Sequence, residues 1–486
     1  MTTTDAAASP RIAPERLRRA LQPRTAVVVG SKRADGYMWL RNYSTFTGEL
    51  ASVQIDPAEI PGIEALGVKN YTSLLDVPFD IDYVMLAVPR TVAPRVLADC
   101  AKKGAGAVAL FTSGFAETGE DEGIRLQAEL LRIAREGDVA LIGPNCMGLY
   151  NRKLGIRQSA EQGAGEAGDV GFISQSGTHG INFGLVGEQH GVRVSTSVSI
   201  GNAIVLDVPD YLDYLRDDPD TKVIAMYIEG VKDGRRFVES LRRAAQAKPV
   251  VVWKGGVTDA GARATQSHTG SLATSAAVFD ALLRQCGALS ADSLEDTIDV
   301  VKALLYAKPG TGRRMGLMAM TGGQSVVITD AFVRAGLEVP RLGDESYAQL
   351  REFFNIIGGS YQNPLDMGGT IGFGGSAQTL RKLFDILDAD PHVDAVAMEM
   401  AAGFLARRWQ ADPASLDALL DTLVEHRERS AKPFVLILQP QHVEDVVATA
   451  RRRMQERGLA VFASFERAAR ALARAIDYHR FRAGLD

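Results

Sequence analysis

The sequence predicts an α/β protein made of three successive blocks of parallel sheet, each covered by helices on both faces. Three observations predict it. Apolar runs of strand length alternate with amphipathic helical stretches along the chain, and parallel neighbours need such helical crossovers. Runs such as TAVVVG, YVMLAV and GAVALF are nearly all apolar, as strands buried on both faces require. At 486 residues the chain is too long for one core, and polar, glycine-rich stretches at 151–168 and 308–314 break the alternation.

In chain order, an N-terminal extension (1–22) precedes the first block, 23–150. Its strands are TAVVVG (25–30), YVMLAV (83–88), GAVALF (106–111) and VALIG (139–143), with helical patterns TVAPRVLADCAKKG and GIRLQAELLRIAREG between them. NRKLGIRQSAEQGAGEAG, 151–168, reads as a linker. The second block, 169–307, opens with DVGFIS, continues through RVSTSVSIG, KVIAMYIEG and KPVVVWKGG, and closes with the helix SLEDTIDVVKALLYA. KPGTGRR, 308–314, reads as a second linker. The third block, 315–486, opens with MGLMAMTGG, includes VDAVAMEMA and KPFVLILQP, and ends in the helix FERAARALARAIDYHRFR. Blocks two and three share one scheme: a strand, a small-residue loop with Ser or Thr, then a helix.

Composition narrows the function. The chain is 46% hydrophobic and 23% charged, ordinary for a soluble globular protein. A net charge of −5 without a long basic run argues against nucleic acid as a partner. Cys100, Cys146 and Cys286 are scattered and form neither a metal-ligand cluster nor a disulfide framework, which predicts a reducing cytoplasm. MTTTDAAASP lacks the features of a signal peptide, and no apolar run is long enough to predict a membrane span.

Three strand-to-helix turns are rich in glycine and hydroxyl residues: VVVGSKRADG, FISQSGTHG and MAMTGGQSV. Backbone N–H groups at a helix N-terminus attract anions, and small residues allow close approach. Each loop alone is equally consistent with a tight turn that uses glycine for geometry. Three together favour phosphate-bearing ligands. The first is not a dinucleotide fingerprint, since Lys32 stands where G-x-G-x-x-G needs its second glycine. Asp56 is followed by Pro57 and fits the ribose-binding acid poorly, so a nicotinamide oxidoreductase is a minor alternative.

Of seven histidines, six read as structural or secondary. His426, His442 and His479 lie in polar segments that predict solvation. His392 follows a proline in a loop. His190 ends a helix before Gly191, where a donor suits the last carbonyls. His179 lies two residues past Gly177 and reads as a secondary contact. His268 differs: ARATQSHTGSLATS (262–275) offers it room and hydroxyls but no packing. It follows the strand of KPVVVWKGG, at the C-terminal edge where open α/β sheets bind ligands. It reads either as a loop histidine bonded to backbone or as a nucleophile. Glu229, ending KVIAMYIE, can fix the tautomer of such an imidazole and stabilise positive charge on it.

Several long motifs occur in one order: SGFAETGEDEG (113–123), GPNCMG (143–148), ISQSG (173–177), SIGNAIVLDVPDYLDYLRDDPDT (199–221), YIEG (227–230), KPVVVWKGG (248–256), SHTGSLA (267–273) and NPLDM (363–367). By these the chain resembles the NDP-forming acyl-CoA synthetases, the superfamily of succinyl-CoA ligase, and most closely the α subunit of the ADP-forming acetyl-CoA synthetases. The resemblance implies a Rossmann-like CoA-binding domain followed by two flavodoxin-like, succinyl-CoA-ligase-like domains. It implies that His268 carries a phosphoryl group and that Glu229 supports it. Ser174, Gln175, Ser176 and Gly177, and Thr321, Gly322, Gly323, Gln324 and Ser325, would form the two loops whose helix N-termini hold the phosphohistidine. Gly30, Ser31 and Lys32 would lie near the CoA phosphates, with Val88, Pro89, Ser113, Gly114 and Phe115 along its path and Asn145 bordering an acyl phosphate.

The implied chemistry is an acid–CoA ligation. A carboxylate has no leaving group that a thiol can displace, whereas an acyl phosphate does. Neutral imidazole is a good nucleophile near pH 7 and can relay the phosphoryl group. Coenzyme A and ATP/ADP with Mg are the implied cofactors. No ATP-grasp domain is visible, so a separate ATP-grasp β subunit is expected to carry the nucleotide, in a cytoplasmic oligomer (a homodimer of α or an α2β2 assembly). TGGQS replaces the more usual Asn-Gly-Gly-Gly run and an aromatic stretch, YMWLRNYSTF, follows the first loop; both leave the acid open. The competing readings are a CoA-binding regulatory or scaffold subunit without turnover, and an ATP-independent transferase passing acyl groups between CoA and phosphate.

Overall fold

The computed structural model describes residues 12–269, 275–371, 377–412, 414–440 and 442–484. It contains three sheets and divides into two compact units, 1–188 with 192–294 and 189–191 with 295–486.

The first unit holds two sheets. One comprises β1 (Thr25–Val29), β2 (Glu49–Val53), β3 (Lys69–Tyr71), β4 (Tyr83–Leu86), β5 (Ala107–Leu110) and β6 (Ala140–Ile142), all parallel, in the order β3-β2-β1-β4-β5-β6. This is the doubly wound order, which reverses between β1 and β4. The other comprises β7 (Gly148–Asn151), β8 (Val170–Ser174), β9 (Val194–Ser199), β10 (Val223–Ile228), β11 (Val250–Lys254) and β12 (Leu289–Ala291), in the order β12-β11-β10-β8-β9-β7. Five of its strands are parallel in flavodoxin order, reversing between β8 and β10, and β7 pairs antiparallel with β9. Val28, Met85, Ile173 and Met226 belong to one buried cluster that runs through both sheets, which is why the first two expected blocks form one unit.

The expected linker 151–168 is packed rather than loose. Asn42 Nδ2 donates to Gln158 O at 2.9 Å and Gln158 Nε2 donates to Gly148 O at 2.7 Å. Gly155, at positive φ, lies so close to Thr45 that an added Cβ would meet its carbonyl oxygen at 1.9 Å. Its glycines serve close approach as well as turning. Part of the expected N-terminal extension is also packed: the helix Pro14–Leu21 buries Leu17, Ala20 and Leu21. The remainder, 1–11, lies outside the described residues.

The second unit holds β13 (Met315–Ala319), β14 (Leu365–Asp366), β15 (Ala395–Glu399), β16 (Phe434–Ile437) and β17 (Val461–Phe462), parallel in the order β14-β13-β15-β16-β17. This is again the flavodoxin order. The helix Leu294–Tyr306, placed by sequence in the second block, belongs from Glu295 onward to this unit. Its charged stripe explains why. Asp299 pairs with Arg467 and Asp296 with Arg474, both on the C-terminal helix Phe465–Arg482. Lys302 is fully buried against Asp299, 3.1 Å away, and burial pushes its pKa down to about 8.

Two histidines are set apart by burial, and for His426 this overturns the expected solvation. His426 is buried, stacked on Phe384 at 3.9 Å between ring centroids and 3.5 Å from Asp388. Burial pushes its pKa down to about 4. His190, expected as a donor at a helix end, is neutral: burial, with Lys302 and Arg467 nearby, pushes it down to about 4 as well. An unfolded imidazole titrates near 6.5, so between these values the unfolded chain holds the extra proton. The stability these groups contribute is present above about pH 6.5 and is lost as pH falls toward 4. His426→Gln cannot titrate and is expected to remove up to about 3 kcal/mol of the loss between pH 7 and 4, read by denaturant unfolding. An unchanged pH dependence would place the sensitivity elsewhere.

Candidate functional site

The reversal between β1 and β4 opens a crevice at the C-terminal edge of the first sheet, and Gly30 and Val88 lie on its two sides. Gly30 has φ +93, and an added Cβ would stand 2.5 Å from Ala87 O and 2.9 Å from Val88 Cγ1. Only glycine fits there, so bare backbone lines the floor. Ser31 is buried, with its carbonyl accepting from Gln54 Nε2 at 2.7 Å; Lys32 is extended and exposed. Pro89 and Ser113 are exposed at the rim. Phe115 is fully buried with Leu110 and Leu126, so its side chain serves the core and only its backbone belongs to the edge. Asp56 caps a turn, accepting from Ala58 N at 2.9 Å, a local reason for an acid at that position.

The loop after β6 carries Gly143, Pro144 and Asn145, the last at φ +59. It meets the loop after β9. Asn202 N donates to Pro144 O at 2.9 Å, Ile204 N donates to Gly143 O at 3.1 Å, and Met147 N donates to Ser199 Oγ at 3.0 Å. Gly201 lies so close that an added Cβ would meet Asn145 O at 2.2 Å. Lys232 Nζ donates to Ala203 O at 2.9 Å, and burial lowers its pKa. Half-buried Asn145 thus stands where the two sheet edges join.

On the second sheet the reversal between β8 and β10 brings ISQSG and Glu229 together. Ser174 is buried and its hydroxyl donates to Ser176 O at 2.6 Å, closing the loop rather than facing outward. Gln175 ties the loop to the next strand: its Oε1 accepts from Glu229 N and from Gly230 N at 3.0 Å, and its Nε2 donates to Gly230 O at 2.9 Å. Ser176 and Gly177 are half-buried at the start of the helix Gly177–Gln189. An added Cβ at Gly177 would stand 2.7 Å from Met147 Cγ, which joins this loop to GPNCMG. Glu229 is buried; Tyr227 Oη donates to its Oε1 at 3.1 Å, and Lys254 Nζ donates to its carbonyl at 2.8 Å. His179 packs its ring against Tyr227 at 4.4 Å and Trp253 at 4.5 Å. Burial and the Glu229 carboxylate both raise the Tyr227 pKa, keeping the phenol a donor.

His268 lies in the last turn of the helix Asp259–Thr269, and its side chain is outside the described residues, as are 270–274. The helix is placed by its middle turn. Gly256 has φ +71, and an added Cβ would meet Thr265 Oγ1 at 2.5 Å, so the helix sits hard against the end of β11. It also packs against the turn Ala116–Thr118 of the first sheet's edge. The helix Asp259–Thr269, which follows the end of β11, therefore lies at the same edge as ISQSG and Glu229.

In the second unit, Thr321 caps the helix Gly322–Arg334, its Oγ1 accepting from Gln324 N at 3.3 Å. Thr321, Gly322 and Gly323 are exposed, and Gln324 and Ser325 half-buried. Glu399, ending β15, accepts from Met320 N at 2.8 Å, and burial raises its pKa.

Tyr227, Lys254, Glu117 and Asn202 were not assigned roles from sequence, although each lies within a motif recognised there. Tyr227 reads as one more apolar strand residue, and only its hydroxyl, two residues before Glu229, hinted at a partner. Among the described residues no group of carboxylates, cysteines or histidines is arranged to hold a metal ion. Among them, too, no helix is long and apolar enough to cross a membrane.

Comparison with known proteins bears on this edge. Residues 24–152 match the profile of a CoA binding domain, and residues 167–304 that of a succinyl-CoA ligase like flavodoxin domain. The chain is 34% identical over 348 residues to the α subunit of ADP-forming acetate–CoA ligase II of Pyrococcus furiosus, covering 71% of this chain and 74% of that one. It is 34% identical over 384 residues to ADP-forming acetate–CoA ligase I of Archaeoglobus fulgidus, covering 78% of this chain and 54% of that one, so it spans about half of that longer relative. In structure it resembles acetyl-coenzyme A synthetase 1 of Ca. Korarchaeum cryptofilum, solved in complex with phosphate and ADP, with a TM-score of 0.81 at 28% identity over 96% of this chain and 98% of that one.

Proposed function

The chain belongs to the ADP-forming acetate–CoA ligase family, and from that premise we propose that it is the α subunit of an acid–CoA ligase working through a phosphohistidine at His268. The observation that carries the reading is the convergence of ISQSG, Glu229 and the His268 helix at one sheet edge, beside the junction with the CoA-binding sheet. Glu229 holds one imidazole nitrogen as a donor and leaves the other to attack phosphorus. The N–H groups opening Gly177–Gln189 face the phosphoryl oxygens, and on the second unit the helix opening at Thr321–Ser325 offers a phosphate loop of the same kind.

Coenzyme A is a substrate here. Its phosphates lie by Gly30, Ser31 and Lys32, over a floor that tolerates no side chain, and its thiol end runs past Val88, Pro89 and Ser113–Gly114 toward Asn145. In the ligating direction the phosphohistidine N–P bond breaks as the carboxylate oxygen takes the phosphoryl group. The thiolate then attacks the acyl carbon, the acyl C–O bond breaks, and phosphate leaves. The nucleotide, with Mg, is bound by an ATP-grasp partner. Support for a separate partner is the likeness to a relative named as an α subunit. The acid is a small carboxylic acid, the assembly an oligomer, and the compartment a reducing cytoplasm, which suits three buried free thiols.

The test is phosphate incorporation. Acetyl-CoA and labelled phosphate are expected to place acid-labile, base-stable label on His268 of the purified chain. Labelling elsewhere refutes the relay. Acetyl phosphate formed from acetyl-CoA and phosphate without any labelled histidine would favour the ATP-independent transferase instead.

A further inference from the structure

A carboxylate outside the assigned residues ties the edge of the first sheet to that of the second. Glu117 lies in the turn Ala116–Thr118, just after the Ser113–Phe115 loop. Its Oε1 accepts from Gly114 N at 2.6 Å and from Phe115 N at 3.1 Å. Its Oε2 accepts from Asn202 Nδ2 at 2.6 Å. Asn202 Nδ2 also donates to Gln127 Oε1 at 3.0 Å, from the helix Asp121–Glu136. Because a carboxylate can only accept, the Asn202 amide must turn its nitrogen to Glu117, and its orientation is fixed. Asn202 itself is anchored: it is 8% exposed, and its backbone donates to Pro144 O at 2.9 Å.

Two consequences follow. The N–H groups of Gly114 and Phe115 are engaged by Glu117, so neither is left to bind a phosphate. Its conformation, with Gly114 at φ +96, is instead held by charge-assisted hydrogen bonds, which are stronger than neutral ones: two to Glu117, and one that Arg90 Nη1 donates to Gly114 O at 2.8 Å. The loop is thereby set against Asn202, beside the Pro144–Asn145 turn.

We propose that Glu117 is a positioning residue for coenzyme A: it holds the Ser113–Phe115 loop against Asn202 in the conformation that receives the ligand. The inference rests on the reading of the first sheet's edge as the CoA site. CoA titrated calorimetrically into the wild-type chain, E117Q, N202D and the double variant tests it. Gln at 117 sets an amide donor against the donors of Asn202, and Asp at 202 sets two carboxylates face to face. Together they restore a donor–acceptor pair. Each single variant is expected to weaken CoA binding by about 10-fold, and the double variant to return within about threefold of wild type, with thermal midpoints within a few degrees of one another. E117Q binding CoA as wild type does, or a double variant as weak as the two losses combined, overturns the inference. If E117Q does not fold, the double variant decides alone: near-native affinity upholds the link and lost affinity refutes it. A wild-type chain that does not bind CoA would instead refute the assignment of the CoA site.

Discussion

Replacing His268 with asparagine is expected to abolish phosphate incorporation and to lower ligation by at least about 10³-fold, while CoA binds as before. Asparagine keeps a polar side chain of similar reach but has no nitrogen basic enough to attack phosphorus. Without the relay, the phosphoryl group would have to pass between acyl phosphate and nucleotide directly. The CoA crevice should be indifferent to the change. Its floor is built from Gly30, Ala87 and Val88 on the first sheet, and His268 lies on a helix anchored through Gly256 and Thr265 at the end of β11. Two measurements separate the outcomes: labelled phosphate bound per chain, and CoA affinity by calorimetry. Lost label with intact CoA binding upholds the relay. Retained ligation rejects it and leaves a chain that binds CoA and acyl phosphate without a covalent intermediate.

Much of this was legible in the sequence because strand ends carry the chemistry in doubly wound sheets. Apolar runs located the strands, and the residues at or just past their ends, Gly30, Val88, Ser174 and Glu229, fall at the C-terminal edges where they were expected. The parts that were not legible depend on contacts between distant segments. Glu117 reads as one charge in an acidic turn until Asn202 arrives from the second sheet. The stretch 151–168 reads as a linker because its residues are polar, yet Gln158 and Gln162 are buried by hydrogen bonds to backbone and to each other. His426 is a different kind of miss. Leu416, Leu420 and Leu423 mark the buried stripe of its helix at helical spacing, and His426 falls three residues further on the same face. The periodicity pointed inward, and the polar neighbours Glu425 and Arg427 hid it.

Glu229→Gln is expected to slow phosphorylation of His268 by about 10²-fold without loss of fold or of CoA binding. The fold should survive because the backbone around Glu229 is held independently of its charge: Gln175 accepts from its N–H, and Lys254 donates to its carbonyl at 2.8 Å. A glutamine oxygen can still accept from Tyr227 Oη, which lies 3.1 Å from the present carboxylate. What is lost is the negative charge, and with it the stabilisation of an imidazole that becomes positive as its other nitrogen attacks phosphorus. In a buried setting one such charge is worth about 3 kcal/mol in the transition state and far less in the ground state. The loss should therefore appear in the rate at saturating acetyl-CoA and phosphate rather than in their binding, and rapid-quench labelling separates the two. A rate within threefold of wild type, in a chain where His268→Asn is inactive, would remove Glu229 from the relay. The Tyr227–Glu229 hydrogen bond would then be a device of the fold, closing the edge of the second sheet beneath His179 and Trp253.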